Sequence, residues 1–337
     1  MKRRLFLLSA ASAGLVAVTG VTAFALTRTP LRALQPWRDA GVSRSDPRRF
    51  VIEHAVLAPN PHNRQPWIVE FTAPETMTLW CDLSRRLPET DPFDRQILIG
   101  LGCFTELAAI AATAVGYRLE VTPFPEGEPQ PRLDRRPVAH LRLIGDGAVK
   151  ADPLFAHIKA RRSSKQPYDL ARTLPEAAAG DLAALSSPLA AVTTLADPAL
   201  VGRIRNLTWE AWGIEARTRR THMESVDLMR IGRREIEANP DGISLGGPML
   251  EGLSIIGQLS RRQLAEVGSP AFEKGEAMYR AMLAGTPAYL TVAAPDAGRI
   301  GTFAAGQTYL RANLAATSLE RDRLSLNRRG IPLELRF

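Results

Sequence analysis

Apolar and polar positions alternate in several short runs. "WIVEFT" from Trp67, "MTLWCDL" from Met77, "VAHLRLI" from Val138 and "AYLTVAA" from Ala288 carry the period of two and the β-branched residues of strands. "RLEVTPF" from Arg118 has the same character. Other stretches follow the helical period. Ile97 to Val115 is apolar nearly all round, the pattern of a central buried helix. Phe303, Leu310, Leu314 and Thr317 recur on one face of a second helix. A third long helix is predicted from about Pro198 to Arg220. Helical stretches cover more of the chain than strands do, which predicts an α+β fold.

The two central helices are related to each other. "GCFTELAAIAATAV" (102–115) aligns without gaps on "GQTYLRANLAATSL" (306–319). The alignment pairs Gly102 with Gly306, Ala108 with Ala312, Ala111 with Ala315, Ala112 with Ala316 and Thr113 with Thr317. A β-like run follows each copy, from Arg118 and, as "RLSLN", from Arg323. The chain reads as two related halves, 45–150 and 151–337, each with a central helix and an antiparallel-type sheet.

Ile231 to Gly285 breaks the pattern. It holds six glycines and two prolines before Gln258, with an apolar middle at Leu250, Leu253, Ile255 and Ile256. It reads as a long ordered loop, either a lid or a packed excursion between helices.

Composition adds a compartment. The chain of 337 residues is 45% hydrophobic and carries a formal charge of +8. Its Arg-Arg pairs are scattered rather than gathered on one stripe, which argues against nucleic acid as a partner. Residues 1–30 begin with Lys2, Arg3 and Arg4, followed by an uncharged apolar run from Leu5 to Leu26 with Ala23-Phe24-Ala25 near its end. This resembles a twin-arginine export signal with a cleavage site. A retained membrane anchor is the alternative, because the run is long enough to span a bilayer. The expected location is the periplasm, either soluble or anchored and facing it, reached through the twin-arginine machinery. That route carries folded proteins and hints at a bound cofactor. The two cysteines, Cys81 and Cys103, form no framework and no metal motif.

One decapeptide stands apart. "APNPHNRQPW", Ala58 to Trp67, packs three prolines among Asn60, His62, Asn63, Arg64 and Gln65. The prolines stiffen it, and the amides can both donate and accept. It resembles the A-P-S-x-x-N-x-Q-P-W loop of the FMN-dependent nitroreductase family. "RRSSKQPYD" supplies a second element similar to that family's R-x-S-x-K/R motif, with Arg161, Ser163 and Lys165 in the matching places. The paired central helices are the third. The order departs from an ordinary member, which has the R-x-S motif before the loop and dimerises. Here the loop lies in the first half and R-x-S-x-K in the second, so the chain resembles the single-chain, Acg-like branch, a fused dimer with one flavin site kept. The expected state is a monomeric pseudo-dimer.

The resemblance implies roles. Arg161, Arg162, Ser163 and Lys165 would hold the FMN phosphate. Pro59, Asn60, Pro61, Asn63 and Gln65 would face the flavin ring. Gly242 and Gly246, in "DGISLGG", match a segment whose backbone approaches the flavin, and Ser325, Asn327 and Arg328 follow the second central helix where a late phosphate contact falls. Trp67 is expected to pack in the core. His62 would contact ring or substrate, or remain an exposed loop histidine. The implied activity is hydride transfer from NAD(P)H through FMN to a nitro or quinone-like acceptor, with no catalytic side chain required. An FMN-sequestering protein with a lid is the alternative, and an oxygen-dependent flavin-degrading enzyme a third reading that no residue supports.

Overall fold

The computed structural model describes residues 24, 27–163, 167–171 and 173–324. Most of the expected export signal, Lys165, Ser325, Asn327 and Arg328 lie outside the described residues. The chain divides into two compact units. The larger comprises Pro36–Glu224 and the chain from Lys274, the smaller the chain up to Gln35 with Ser225–Glu273.

The larger unit begins with α1 (Pro47–Ala55), whose first turn is capped by Asp46 accepting from the Arg48 amide at 3.0 Å. Strands β1 (Trp67–Ala73) and β2 (Thr76–Cys81) follow, then helix α2 (Arg95–Thr113) and strands β3 (Tyr117–Pro123) and β4 (Ala139–Gly145). The four strands form one antiparallel sheet in the order β1-β2-β4-β3. Along β4, Ala139, Leu141 and Leu143 face inward while His140 and Arg142 face water, the alternation read in the sequence. Helix α2 is as buried as its composition predicts, with Ile97, Leu98, Leu101, Phe104 and Leu107 fully enclosed. Each such side chain contributes about 1.5–3 kcal/mol. The carboxylate of Asp91 accepts from the amides of Arg95 and Ile97 at 2.8 and 2.9 Å, satisfying two free donors at the start of α2.

After α3 (Glu176–Ala183) comes β5 (Ala191–Leu195), a strand the sequence pattern did not reveal. The predicted third helix is two helices, α4 (Pro198–Arg217) and α5 (Arg219–Asp227). Thr218 turns to extended backbone between them, and its hydroxyl bonds back to the Ile214 carbonyl.

The smaller unit contains β6 (Met229–Ile231), α6 (Gly232–Ala238), β7 (Ile243–Leu245), α7 (Pro248–Ile255) and α8 (Arg261–Ala265). Its core gathers Ile231, Leu259 and Ala271 with Leu245, Leu250, Leu253 and Leu264. Helix α9 (Pro270–Ala284) begins there and continues into the larger unit. Ile231 to Gly285 is therefore mostly helical and not the long loop expected. Its glycines punctuate short elements: Gly232, Gly242, Gly247 and Gly257 sit at φ of 72°, 78°, 102° and 75°, where other residues are strained.

Strand β8 (Tyr289–Ala293) returns to the larger unit, pairs antiparallel with β5, and leads into the last helix, α10 (Arg299–Leu324). Arg323 and Leu324 end this helix; the rest of "RLSLN" lies outside the described residues.

Helices α2 and α10 pack on each other through the aligned glycines. A Cβ on Gly102 would stand 2.2 Å from the Phe303 carbonyl oxygen, and a Cβ on Gly306 would stand 2.2 Å from the Ile99 carbonyl oxygen. Each glycine thus meets the residue three positions before the other. Cys103 Sγ donates to the Gly306 carbonyl at 3.2 Å. Arg311 on α10 bridges Glu106 on α2 and Asp152, both at 2.8 Å. At the start of α10, Glu128 accepts from the amides of Arg299 and Ile300, while the Arg299 guanidinium donates to the carbonyls of Phe93, Pro129 and Pro131. Both cysteines are free and buried, and burial pushes the Cys81 thiol up to about 12 and raises Cys103 as well.

Candidate functional site

The decapeptide runs from the end of α1 to β1 and folds back on itself. Pro61–Asn63 form a single 3₁₀ turn. His62, Asn63 and Gln65 lie in the left-handed region at φ of 46°, 51° and 50°. None is glycine, so each costs about 1–2 kcal/mol against ordinary backbone. Surrounding bonds hold the strain. Asn60 Oδ1 accepts from the Gln65 amide at 2.7 Å, and Asn60 Nδ2 donates to the Ala58 carbonyl at 3.1 Å. Arg64 and Arg85 exchange bonds to each other's carbonyls at 3.1 and 2.9 Å. Pro59 and Pro61 are buried.

Gly100 on α2 lets this loop lie against the central helix. A Cβ there would meet Asn60 Cβ at 3.0 Å and Pro61 Cδ at 3.3 Å. Trp67 packs its ring on Phe104 with centroids 5.0 Å apart, the core role expected for it. Asn60 thus braces the loop with both amide atoms, while Asn63 is exposed and accepts a long 3.4 Å bond from Gln65 Nε2. His62 is half-buried, its Nδ1 has no partner among the described residues, and burial lowers its pKa.

Arg161 reaches this loop from a hundred residues away. It is buried, at 6% exposure, and its Nη2 donates to the Leu57 carbonyl at 3.2 Å, one residue before the decapeptide. Its Nη1 is buried without a partner among the described residues. Among the described residues Tyr309, Cys103 and Arg162 act on its charge, and none of the three is a carboxylate. Burial pulls its pKa down, but a guanidinium stays charged in proteins. A buried cation with an idle donor is costly unless an anion completes it. Arg162 is exposed, donates to the carbonyls of Lys159 and Arg161 at 2.9 and 2.6 Å, and lies over the Trp37 ring at 5.1 Å. Ser163 is exposed next to it.

The structure therefore brings together the stiff amide-rich loop and the first arginine of the R-x-S element. His157, four residues before Arg161, was not singled out by its sequence. Its Nδ1 is also buried and partnerless among the described residues, a signal only coordinates give. Gly242 and Gly246 belong to the smaller unit, where packing accounts for both. A Cβ on Gly242 would stand 2.3 Å from the Leu228 carbonyl oxygen, and one on Gly246 would stand 2.7 Å from Ile236 Cδ1. Among the described residues no cluster of His, Cys, Asp and Glu could hold a metal ion.

No protein-family model matches the chain. Over 120 residues it is 30% identical to a Mycobacterium tuberculosis H37Rv protein named "Putative NAD(P)H nitroreductase", covering 36% of this chain and 33% of that one. A Mycobacterium tuberculosis H37Rv protein named "Uncharacterized protein" is 29% identical over 129 residues, 35% of this chain and 36% of the relative. The chain thus matches about a third of the length of these curated relatives. On that third, the distant similarity to the protein named a nitroreductase supports the nitroreductase family for this chain.

Proposed function

We propose that the chain is an FMN-dependent oxidoreductase of the nitroreductase type, passing hydride from NAD(P)H to a nitro or quinone-like acceptor. The observation that carries this reading is the buried Nη1 of Arg161, without a partner among the described residues, beside the strained loop Ala58–Trp67. A phosphate monoester is a fitting partner for it: doubly charged, with oxygens that accept from a guanidinium fork. The loop fits the rest of the group. Its prolines and internal Asn60 bonds fix it before binding, which lowers the ordering cost. FMN would supply the redox chemistry when bound, and the chain's residues hold, orient and shield it. Arg161 would carry the phosphate charge, with Arg162, Ser163 and Lys165 beside it. Asn63 and Gln65 would meet the polar edge of the ring.

The pseudo-dimer reading is part of the proposal. Gly102 and Gly306 occupy equivalent places in the repeat and contact each other's helices reciprocally, as a two-fold interface between related halves does. The electron donor is proposed from the name carried by a relative matched over about a third of its length. Purified protein mixed with FMN tests the reading. A yellow complex that bleaches anaerobically on adding NADPH supports it. A chain that binds no FMN overturns it, and a complex that NADPH leaves oxidised overturns the reductase part.

A further inference from the structure

The smaller unit carries an apolar stripe on its surface. Met249, Ile255 and Ile256 are 73%, 68% and 67% exposed. On α7 and its last turn they fall with Pro248 and Gly252 within about a third of the helix circumference, at 100° per residue. Leu250 and Leu253, the next positions around the helix from Met249, pack into the unit's core. The stripe is thus the solvent-exposed continuation of that apolar side. From Gly242 to Ser260 the only charged residue is Glu251.

That one charge is neutralised by the chain's own N-terminal part. Arg28 Nη1 contacts Glu251 Oε1 at 2.8 Å, and the pair is largely withdrawn from water. Arg233 Nη1 donates to the Thr27 carbonyl at 2.7 Å, and Glu237 accepts from the Arg32 amide at 2.9 Å. These bonds fix residues 27–32 against α6 and α7. Immediately before them lies the uncharged run from Leu5 to Leu26. A run of that length and composition is enough to cross the roughly 30 Å core of a bilayer. Its exit is therefore tied to the helix that exposes the stripe.

We propose that the stripe of α7 rests on the lipid bilayer that holds the retained N-terminal run, so that the smaller unit lies on the membrane surface. Apolar side chains held at a protein surface with the one nearby charge paired can insert at the boundary between headgroups and acyl chains, where buried apolar area favours binding. Exposed contiguous apolar surface of this kind marks an interaction site. The occupant is a lipid surface because the segment that the bonded residues 27–32 continue, the uncharged run from Leu5 to Leu26, is long and apolar enough to enter one. This inference does not depend on the flavin reading.

The test uses the full chain reconstituted in bilayer nanodiscs. Cys81 and Cys103 are buried, so a cysteine introduced by Ile255→Cys takes a polarity-sensitive fluorophore selectively. Met249→Cys is the second stripe position, and exposed Lys150→Cys is the control. The expected result is a blue shift and strong quenching by a lipid-borne quencher at both stripe positions, and neither at Lys150. Ile255→Asp with Ile256→Asp should return the label at position 249 to aqueous emission while the chain stays bound. Aqueous emission at both stripe positions overturns the proposal. A blue shift without lipid quenching also overturns it, since protein then covers the stripe. Recovery from producing cells of a soluble chain lacking residues 1–26 overturns it as well.

Discussion

Replacing Gly102 by Ala tests how closely the two central helices approach. The new Cβ would stand 2.2 Å from the Phe303 carbonyl oxygen, more than an ångström short of the 3.4 Å where ordinary contact begins. Gly306 Cα and the Gln307 nitrogen lie at 3.1 and 3.2 Å, so backbone surrounds the methyl and no side chain can swing aside. Overpacking of this kind costs about 1–3 kcal/mol, and an unyielding backbone puts it near the top of that range. Alanine returns about 1 kcal/mol through helix propensity. The net expectation is destabilisation by about 2 kcal/mol, or roughly 4–8 °C in melting temperature for a unit of this size. Gly306→Ala should cost the same, because its Cβ meets the Ile99 carbonyl oxygen at the same 2.2 Å. The double variant should cost less than the two singles together, because the first methyl already parts the helices. Urea unfolding of apo-protein reads all three. If either alanine stabilises by about 1 kcal/mol, propensity alone is at work, and the reciprocal glycine contact is refuted.

Further expectations concern the site. Arg161→Met should weaken FMN binding by about 1.5–3 kcal/mol, roughly tenfold to a hundredfold, and riboflavin binding less. The same variant should leave apo-protein melting no lower, since it removes a buried charge that has no carboxylate partner among the described residues; equal losses for both ligands in a titration would separate Arg161 from the phosphate. Gly100→Ala should press on Asn60 and Pro61 and loosen FMN, with a smaller effect on stability than Gly102→Ala; unchanged affinity would detach the loop from the ligand. His54 donates from Nδ1 to the Phe50 carbonyl at 2.8 Å and packs on Phe155, and burial holds its pKa below the usual 6.5. A lowered folded pKa stabilises above the unfolded value and is lost as pH falls through the folded one. Melting between pH 7 and 5 should therefore drop less in His54→Phe than in the parent, and an identical drop would assign acid sensitivity elsewhere.

The sequence carried the elements whose pattern is local. Alternation gave β1, β2, β3, β4 and β8 to within a residue or two, and the all-round apolar run gave α2. The gapless repeat picked out Gly102 and Gly306, which meet at the helix crossing. Strand β5 was missed because Ala191–Leu195 is short, half polar, and paired with a strand nearly a hundred residues away. The glycines between Gly232 and Gly257 were read as loop because helix-ending and loop glycines have the same one-letter signature. The coordinates separate them by φ and by the core that Leu250 and Leu253 build. In the site, the residue types of the decapeptide were legible. What was not legible was the division of labour: Asn60 is committed to bracing the loop, and Arg161 is buried with an idle donor. Those facts depend on contacts between segments far apart in the chain.

The central claim is a single FMN site formed by the Ala58–Trp67 loop and Arg161. Titrating apo-protein with FMN, followed by flavin fluorescence against a protein concentration fixed by amino-acid analysis, measures it directly. The account predicts saturation at about one FMN per chain, with the end point lost in Arg161→Met at the same concentrations. Saturation near two per chain, or no saturable binding at all, would contradict it.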